Sequence, residues 1–161
     1  MASGVSHYLR RYANTSFSWW GDNLANLPAD GQPLPAPPAA GVRRNTTLKY
    51  RYALNSCVFG YSTPYWNLTR WVREIDLMAM RGVNLVNQHV GGAWVYQRVF
   101  QNLGLSRSEV PFPAPTQGPS TGVRGGPVPQ GFIDGQRVLQ KQIIARLSAF
   151  DMAAVCELQY K

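Results

Sequence analysis

The sequence predicts an α/β fold with a parallel sheet, because three strand-like segments alternate with helical segments over residues 49–161. The strands are separated by helical segments rather than tight turns, so consecutive strands are expected to pair in parallel as βαβ units. A complete (β/α)8 TIM barrel needs about 250 residues, whereas this chain has 161. We therefore expect an incomplete barrel made of about the first three βα units.

Proline divides the chain into three parts. Eleven of the twelve prolines lie in two tracts, at 28–38 and 111–129. These tracts are too rich in Pro and Gly to hold a helix or strand, and we expect them to be extended, solvated and mobile. The predicted organisation is a first unit at 1–27, a linker at 28–48, and a partial barrel at 49–161 with a Pro/Gly-rich loop at 110–131.

The first unit is predicted to contain a short helix followed by an aromatic cluster. Helical spacing relates Tyr8, Leu9 and Tyr12, and the cluster consists of Phe17, Trp19 and Trp20. We expect these aromatic side chains to dock on a neighbouring domain. The alternative is a platform that stacks the bases of single-stranded nucleic acid, with Arg10 and Arg11 beside it.

The first barrel strand is predicted at residues 50–61. Its period of two places one set of side chains on a single face, namely Ala53, Asn55, Cys57, Phe59 and Tyr61. This face collects an amide, a thiol and a phenol, so Asn55, Cys57 and Tyr61 are candidate binding residues.

The next helix is predicted to begin near Trp66 and to end at Gly82. An apolar stripe along it indicates a face packed on the sheet, with Arg70, Arg73 and Glu74 directed away from that face. The stripe consists of Leu68, Trp71, Val72, Ile75, Met78 and Ala79.

Two further strands and two further helices complete the predicted arc. A strand at 83–86 is followed by a helix from Ala93 to Leu103, which Gly104 ends, and Ser106 and Glu109 form a capping box for one more turn. A third helix, capped by Asp134, leads to a strand at 152–158. Its apolar residues at helical spacing are Leu139, Ile143, Leu147 and Phe150.

Charge and cysteine content limit the classes of function. The 16 Lys and Arg against 8 Asp and Glu give a net charge of +8, which favours acidic partners. A basic module that binds polyanions is an alternative function, although the cations are spread along the chain, with pairs only at 10–11 and 43–44, whereas dedicated nucleic-acid binders cluster them. Cys57 and Cys156 are too few for a disulfide scaffold or an all-cysteine zinc site, and no cofactor is expected.

Targeting signals in the sequence are mixed. No apolar run approaches the roughly 18 residues of a membrane-spanning helix, and the first residues lack the apolar stretch of a secretory signal. Three N-glycosylation sequons begin at Asn14, Asn45 and Asn67. They favour a secretory history, in which case a segment carrying the signal would precede this chain.

Two ordered runs of residues carry a resemblance to a known family. The first run is RYALNSCVFGYS at 51–62, and the second is RWVREIDLMAMRGVNL at 70–85. Together they resemble the start of the catalytic barrel of the α-N-acetylglucosaminidases, glycoside hydrolase family 89. Residues 7–28 are similar to the end of that family's small N-terminal α/β domain, so the resemblance implies that such a domain precedes the partial barrel.

The resemblance implies a lysosomal or secreted exo-glycosidase that removes terminal α-linked N-acetylglucosamine with retention of configuration, in animals from heparan sulfate. The implied partner is a glycan ending in N-acetylglucosamine, with no nucleic acid and no membrane. In this family the residues at the carboxyl end of the first strand line the sugar pocket. The matching positions here are Asn55, Cys57 and Tyr61.

Retention needs two carboxyl groups about 5–5.5 Å apart, and the resemblance implies that the family's two glutamates lie on later strands, beyond Lys161. Glu74 and Asp76 are two positions apart on one helix and point about 200° from each other. Glu157 stands near the end of the third strand but matches nothing in the family. The chain alone is therefore expected to hold no catalytic residue and to be inactive.

Two features near the second strand depart from the family. His89 ends that strand, where a histidine could act as an acid or base, but the family has no matching histidine. The segment Gly-Gly-Ala-Trp at 91–94 replaces the Gly-Gln-Glu-Ala that the family usually carries before a helix. This replacement removes a polar pair from the carboxyl end of the second strand.

Overall fold

The structure of the chain is a computed structural model that describes residues 2–110 and 128–155. A helix and a hairpin come first, followed by alternating strands and helices. The strands are β1 Ser16–Ser18, β2 Gly21–Asn23, β3 Tyr52–Ala53, β4 Leu85–Asn87 and β5 Ala153–Val155. The helices are α1 Ala2–Arg11, α2 Leu68–Met80, α3 Gly92–Asn102 and α4 Gln130–Ser148, with a 3-10 helix at Ser56–Gly60.

Strands β3, β4 and β5 form one sheet in the order of the sequence, and both pairs are parallel. Val86 of β4 lies opposite Ala53 on one side and Ala154 on the other. Asn84 extends the first pairing, because its Oδ1 accepts a hydrogen bond from the Arg51 N–H at 2.8 Å. The predicted α/β class and parallel βαβ units are confirmed, and the short open sheet is consistent with the first strands of a barrel.

The core lies between this sheet and the helices α2 and α4. Trp71 and Ile75 of α2, Ile143 of α4 and Val86 of β4 are all fully buried, and Leu147 is 1% exposed. Burying an aliphatic side chain of this size contributes about 1.5–3 kcal/mol. The apolar faces predicted for these two helices are therefore confirmed where they meet the sheet.

The first predicted strand is shorter than expected. It ends at Ala53, because Leu54 has a left-handed backbone (φ +66°) and the Asn55 side chain caps the 3-10 helix that follows. The prediction of a strand through residue 61 is wrong, and with it the alternation that placed Asn55, Cys57 and Tyr61 on one strand face. These residues belong to the segment after β3 instead.

The N-terminal unit contains the predicted helix, α1, and a hairpin that was not predicted. Strands β1 and β2 pair antiparallel around Trp19 and Trp20. Asp22 of this hairpin accepts two hydrogen bonds from the Arg73 guanidinium, at 2.9 and 3.1 Å. Glu74 lies away from the apolar stripe, as predicted, but it contacts the hairpin through Trp19 and is only 3% exposed.

The ends of α3 and α4 agree only partly with the predicted caps. Gly104 has a left-handed backbone (φ +97°) just beyond α3, as expected of the residue that ends it. Glu109 accepts a hydrogen bond from the Ser106 N–H at 2.8 Å, which closes a turn but begins no helix. The prediction that Asp134 caps the last helix is wrong, because α4 begins earlier with Pro129 at its N-cap.

Gly91 precedes α3 in the segment that departs from the family. It has a left-handed backbone (φ +82°), and a Cβ there would lie 3.0 Å from Gln140 Oε1 of α4. Glycine is therefore favoured by the backbone conformation, and a larger residue would also displace the Gln140 side chain.

Residues 24–51 contain no helix or strand, as predicted for the linker at 28–48, whereas its mobility stays a prediction. Tyr8 of α1 holds it by donating a hydrogen bond from its hydroxyl to the Pro35 carbonyl at 2.6 Å. Most of the loop predicted at 110–131 lies outside the described residues, as does the end of the third strand with Cys156 and Glu157. Among the described residues, no helix has both the length and the apolar character to cross a membrane.

Candidate functional site

The candidate site lies at the carboxyl edge of the three-stranded sheet. Parallel strands end at the same edge, and active sites of (β/α) barrels are built there. The segment after β3 contributes residues 54–61 to this edge, and the end of β4 contributes residues 87–90. The residues that follow β5 lie outside the described part of the chain.

The three predicted binding residues stand together in the segment after β3. Asn55 is exposed, and its Oδ1 accepts a hydrogen bond from the Val58 N–H at 3.0 Å. This bond fixes the amide plane and leaves the Nδ2 group available to a ligand. Cys57 is half-buried, and Tyr61 is 61% exposed directly after the 3-10 helix. All three residues therefore follow the carboxyl end of β3 in the chain instead of alternating along a strand.

A pair of buried amides at the end of β4 was missed by the sequence reasoning. Asn87 and Gln88 are 2% and 1% exposed, and Gln88 Oε1 accepts a hydrogen bond from the Val90 N–H at 2.7 Å. Asn87 Oδ1 and Gln88 Nε2 have no hydrogen-bond partner within the described residues. Buried unpaired polar atoms cost about 1–3 kcal/mol each, so they mark this edge as a polar site. The sequence contained a signal for this pair, because two amide side chains directly follow the apolar strand predicted at 83–86.

His89 follows these amides in the chain, and its ring packs against another aromatic ring. Its ring contacts the Phe59 ring, with centroids 4.9 Å apart. It lines a cavity of about 40 Å³ with Thr63, Val90 and Gln136, among others. A cavity of this size holds water rather than a ligand, since ligand pockets measure about 300–1,000 Å³.

Several described carboxylates are engaged in contacts that stabilise the fold. Asp76 accepts two hydrogen bonds from Arg146, at 2.6 and 3.0 Å. The Arg73 guanidinium holds the pKa of the Asp22 carboxyl below its usual value, and the Ser106 hydroxyl does the same for Glu109. No three metal-ligating side chains cluster within residues 2–110 and 128–155.

Glu74 is the one buried carboxylate of the described chain, and the aromatic cluster explains its position. Trp19 donates a hydrogen bond from Nε1 to Glu74 Oε1 at 2.9 Å, and Arg70 lies 3.4 Å from Glu74 Oε2. The rings of Trp19 and Trp66 are in edge contact, with centroids 6.2 Å apart. The predicted docking of the cluster is therefore confirmed for Trp19, whereas Trp20 is 97% exposed.

The asparagines of the three sequons are all exposed. Asn67 has a second role, because its Oδ1 caps α2 by accepting the Arg70 N–H at 2.9 Å. N-linked glycosylation modifies Nδ2 and would leave this cap in place. Their modification stays a prediction.

Comparison with known proteins places this geometry in context. The family model described as "Alpha-N-acetylglucosaminidase (NAGLU) tim-barrel domain" matches residues 51–158. Alpha-N-acetylglucosaminidase of Homo sapiens is 34% identical over 161 aligned positions, which cover 96% of this chain and 21% of the human protein. The chain therefore spans less than a quarter of the length of this relative.

Solved structures of a family 89 glycoside hydrolase from Clostridium perfringens match the fold. One is in complex with PUGNAc, and another is in complex with its substrate GlcNAc-α-1,4-galactose. Each matches with a TM-score of 0.81 at 30% identity, and the match covers 96% of this chain and 18% of the bacterial chain.

We predict that Trp19→Phe destabilises the chain by about 1–3 kcal/mol, because it removes the hydrogen bond to a buried carboxylate oxygen. Trp20→Phe is the matched control, since Trp20 is 97% exposed in the same turn; its effect should stay within about 0.5 kcal/mol. Urea unfolding followed by far-UV circular dichroism measures both. Equal effects of the two substitutions would contradict the role given to Trp19.

Proposed function

The chain belongs to the α-N-acetylglucosaminidase family, glycoside hydrolase family 89, and we propose that it forms the opening part of the catalytic barrel of a retaining exo-glycosidase. The substrate class is a glycan ending in α-linked N-acetylglucosamine. The main support is that the family match at 51–158 coincides with the parallel arc β3-β4-β5. The GlcNAc-α-1,4-galactose complex of the bacterial relative supports the same linkage.

The proposed role of the segment after β3 is to form one wall of the sugar site. Asn55 Nδ2 is a donor for a sugar hydroxyl or acetamido oxygen, and the capping bond from Val58 holds it in one orientation. The exposed phenol of Tyr61 can donate or accept a hydrogen bond. Cys57, which is half-buried, forms the floor between them. Two polar groups and a fixed backbone are what a sugar site needs to orient a hydroxyl-rich ligand.

We propose that the described part of the chain does not provide the reacting groups. A retaining glycosidase uses one carboxylate as nucleophile and a second carboxyl group as acid and base, about 5–5.5 Å apart. Among the described residues, Glu74 is bound by Trp19, Asp76 by Arg146 and Asp22 by Arg73. Glu157 lies outside the described residues. We therefore assign the nucleophile and the acid to other parts of the barrel.

We also propose that the protein acts in the lysosome or outside the cell and carries N-linked glycans. The support is the family membership together with three exposed sequons, at Asn14, Asn45 and Asn67. An asparagine must be exposed to accept a glycan. The capping bond of Asn67 uses its Oδ1 and leaves Nδ2 available for that modification.

The isolated chain should show no turnover of a fluorogenic N-acetyl-α-glucosaminide above the buffer blank, because it lacks an acid and nucleophile pair. The human relative serves as positive control in the same assay. Turnover that disappears in a Glu74→Gln variant would contradict the account, since it would make Glu74 catalytic.

A chimera tests the sugar wall directly. In it, the aligned segment of the human relative is replaced by this chain, and we expect the chimera to hydrolyse the same substrate. Asn55→Ala and Tyr61→Phe should each lower kcat/KM by about 10-fold to 100-fold, the loss expected for a hydrogen bond to the reacting sugar. Tyr65→Phe is the matched control, because Tyr65 is 77% exposed nearby, and it should change kcat/KM less than about twofold.

An active chimera that tolerates Asn55→Ala and Tyr61→Phe as well as it tolerates Tyr65→Phe would remove both residues from the site. A folded but inactive chimera would contradict the proposal that this segment supplies a working part of the barrel.

A further inference from the structure

Two asparagines at the ends of strand β4 differ in their hydrogen bonds. Asn84 directly precedes the strand, and both atoms of its amide are paired: Oδ1 accepts the Arg51 N–H at 2.8 Å, and Nδ2 donates to the Lys49 carbonyl at 2.9 Å. Asn87 ends the strand and is 2% exposed, and its Oδ1 has no hydrogen-bond partner in the described part of the chain. Asn84 therefore stabilises the sheet, whereas the buried acceptor of Asn87 is open.

Asn87 lies on the face of the sheet that is turned away from the helices. Val86 belongs to the buried core together with residues of α2 and α4, and its two partners in the register, Ala53 and Ala154, pack against the same core. Successive residues of a strand alternate between the two faces of a sheet. Asn87 therefore stands on the opposite face, which in a (β/α) barrel is the interior.

The segment that forms the sugar wall begins beside Asn87. Ala53 pairs with Val86, so the residues that follow them, Leu54 and Asn87, stand side by side where β3 ends. Leu54 has a left-handed backbone, and the chain turns there towards the 3-10 helix that contains Cys57. Neighbouring strands are about 4.8 Å apart. Asn87 therefore extends the carboxyl edge of the sugar wall by one strand.

The unpaired oxygen of Asn87 destabilises the fold in the absence of a ligand. A buried carbonyl oxygen without a donor has lost its hydrogen bonds to water, and such atoms are rare in native proteins. An apolar side chain of the same shape would avoid this cost. Binding sites hold such groups because the ligand supplies the missing partner, and the stability that is lost serves function. A ligand with a hydrogen-bond donor is the partner that the position of Asn87 indicates.

The neighbouring amide, Gln88, faces the other side of the sheet. Its backbone N–H bonds to the Val155 carbonyl at 2.8 Å, so the pairing of β4 with β5 continues to this residue and its side chain lies on the helix side. Gln88 Oε1 also accepts the Val90 N–H at 2.7 Å. Of the two buried amides, Asn87 is therefore the one on the barrel interior.

We propose that Asn87 binds the terminal sugar by accepting a hydrogen bond on Oδ1, a role that rests on the proposed glycosidase function and adds the second barrel strand to the same site. A terminal N-acetylglucosamine offers two kinds of donor, its hydroxyls and the N–H of its acetamido group. The carbonyl oxygen of an amide accepts from either. Because the amide is neutral, it binds the sugar without placing another charge near the reacting carboxyl groups, whose pKa values a further charge would shift.

The test uses the chimera in which this chain replaces the aligned segment of the human relative. Isothermal titration calorimetry measures the binding of deoxynojirimycin and of its derivative that carries an acetamido group in place of the hydroxyl next to the anomeric position. We expect Asn87→Leu to weaken binding of the acetamido derivative at least about tenfold, the loss expected for one hydrogen bond to a ligand. Equal weakening of deoxynojirimycin assigns the donor to a shared hydroxyl, and unchanged binding of deoxynojirimycin assigns it to the acetamido N–H.

Gln97→Met is the matched control, because Gln97 is also 2% exposed but its amide is paired with that of Gln130, at 2.9 and 3.1 Å. We expect this variant to lower the Tm of the unliganded chimera and to change the binding of both iminosugars less than about twofold. Asn87→Leu should do the reverse and leave the Tm unchanged or raise it, since it removes an unpaired buried amide. Should Asn87→Leu not fold, Asn87→Ala carries the binding test, because it also removes Oδ1.

Two results would overturn the role of Asn87. Binding of the acetamido derivative within about twofold of the parent would remove Asn87 from the sugar site. A loss of Tm in Asn87→Leu as large as that in Gln97→Met would mean that a protein group of the complete barrel satisfies Oδ1. A parent chimera that binds neither iminosugar would contradict the sugar wall as a whole, and with it the role of Asn87.

Discussion

Helix α2 is the element on which the rest of the described structure depends, because two of its faces are buried at once. One face places Trp71 and Ile75 against the sheet and α4, where both are fully buried. Another face buries Glu74 under the N-terminal hairpin, where the indole of Trp19 satisfies one carboxylate oxygen. A buried carboxylate is stable only with such partners. The hydrogen bond from Trp19 to Glu74 therefore attaches the hairpin to the barrel segment, in addition to the chain that connects them. The N-terminal end of the same helix follows the segment that carries the candidate sugar wall.

Much of the barrel segment could be predicted because its signals are local. The stripe through Trp71 and Ile75 and the one through Ile143 and Leu147 have the period of an α-helix, and each helix ends within two residues of the end of its pattern. Parallel order followed from connection length. The three binding positions could be named from the resemblance, and the exposure of Asn55 and Tyr61 at the carboxyl edge is compatible with that assignment.

The features that escaped prediction depend on contacts between distant residues. The hairpin turn at 19–20 lacks the Asn-Gly or Asp-Gly pair that usually announces such turns, and its contacts to α2 are more than fifty residues away in sequence. Strand β3 ends early because of the left-handed backbone of Leu54, although alternation of residue types continues beyond it. One surface concavity is lined by the arginine pairs 10–11 and 43–44, which are separate in the sequence.

The central claim is that this chain supplies one wall of a sugar site and none of its reacting carboxyl groups. A crystal structure of the chimera with N-acetylglucosamine bound tests it most directly. The account predicts that Asn55 Nδ2 and the Tyr61 hydroxyl lie within about 3.2 Å of sugar oxygens, while Glu74 remains on Trp19. A sugar bound without either of these side chains, or with the Glu74 carboxylate beside its anomeric carbon, would contradict the account.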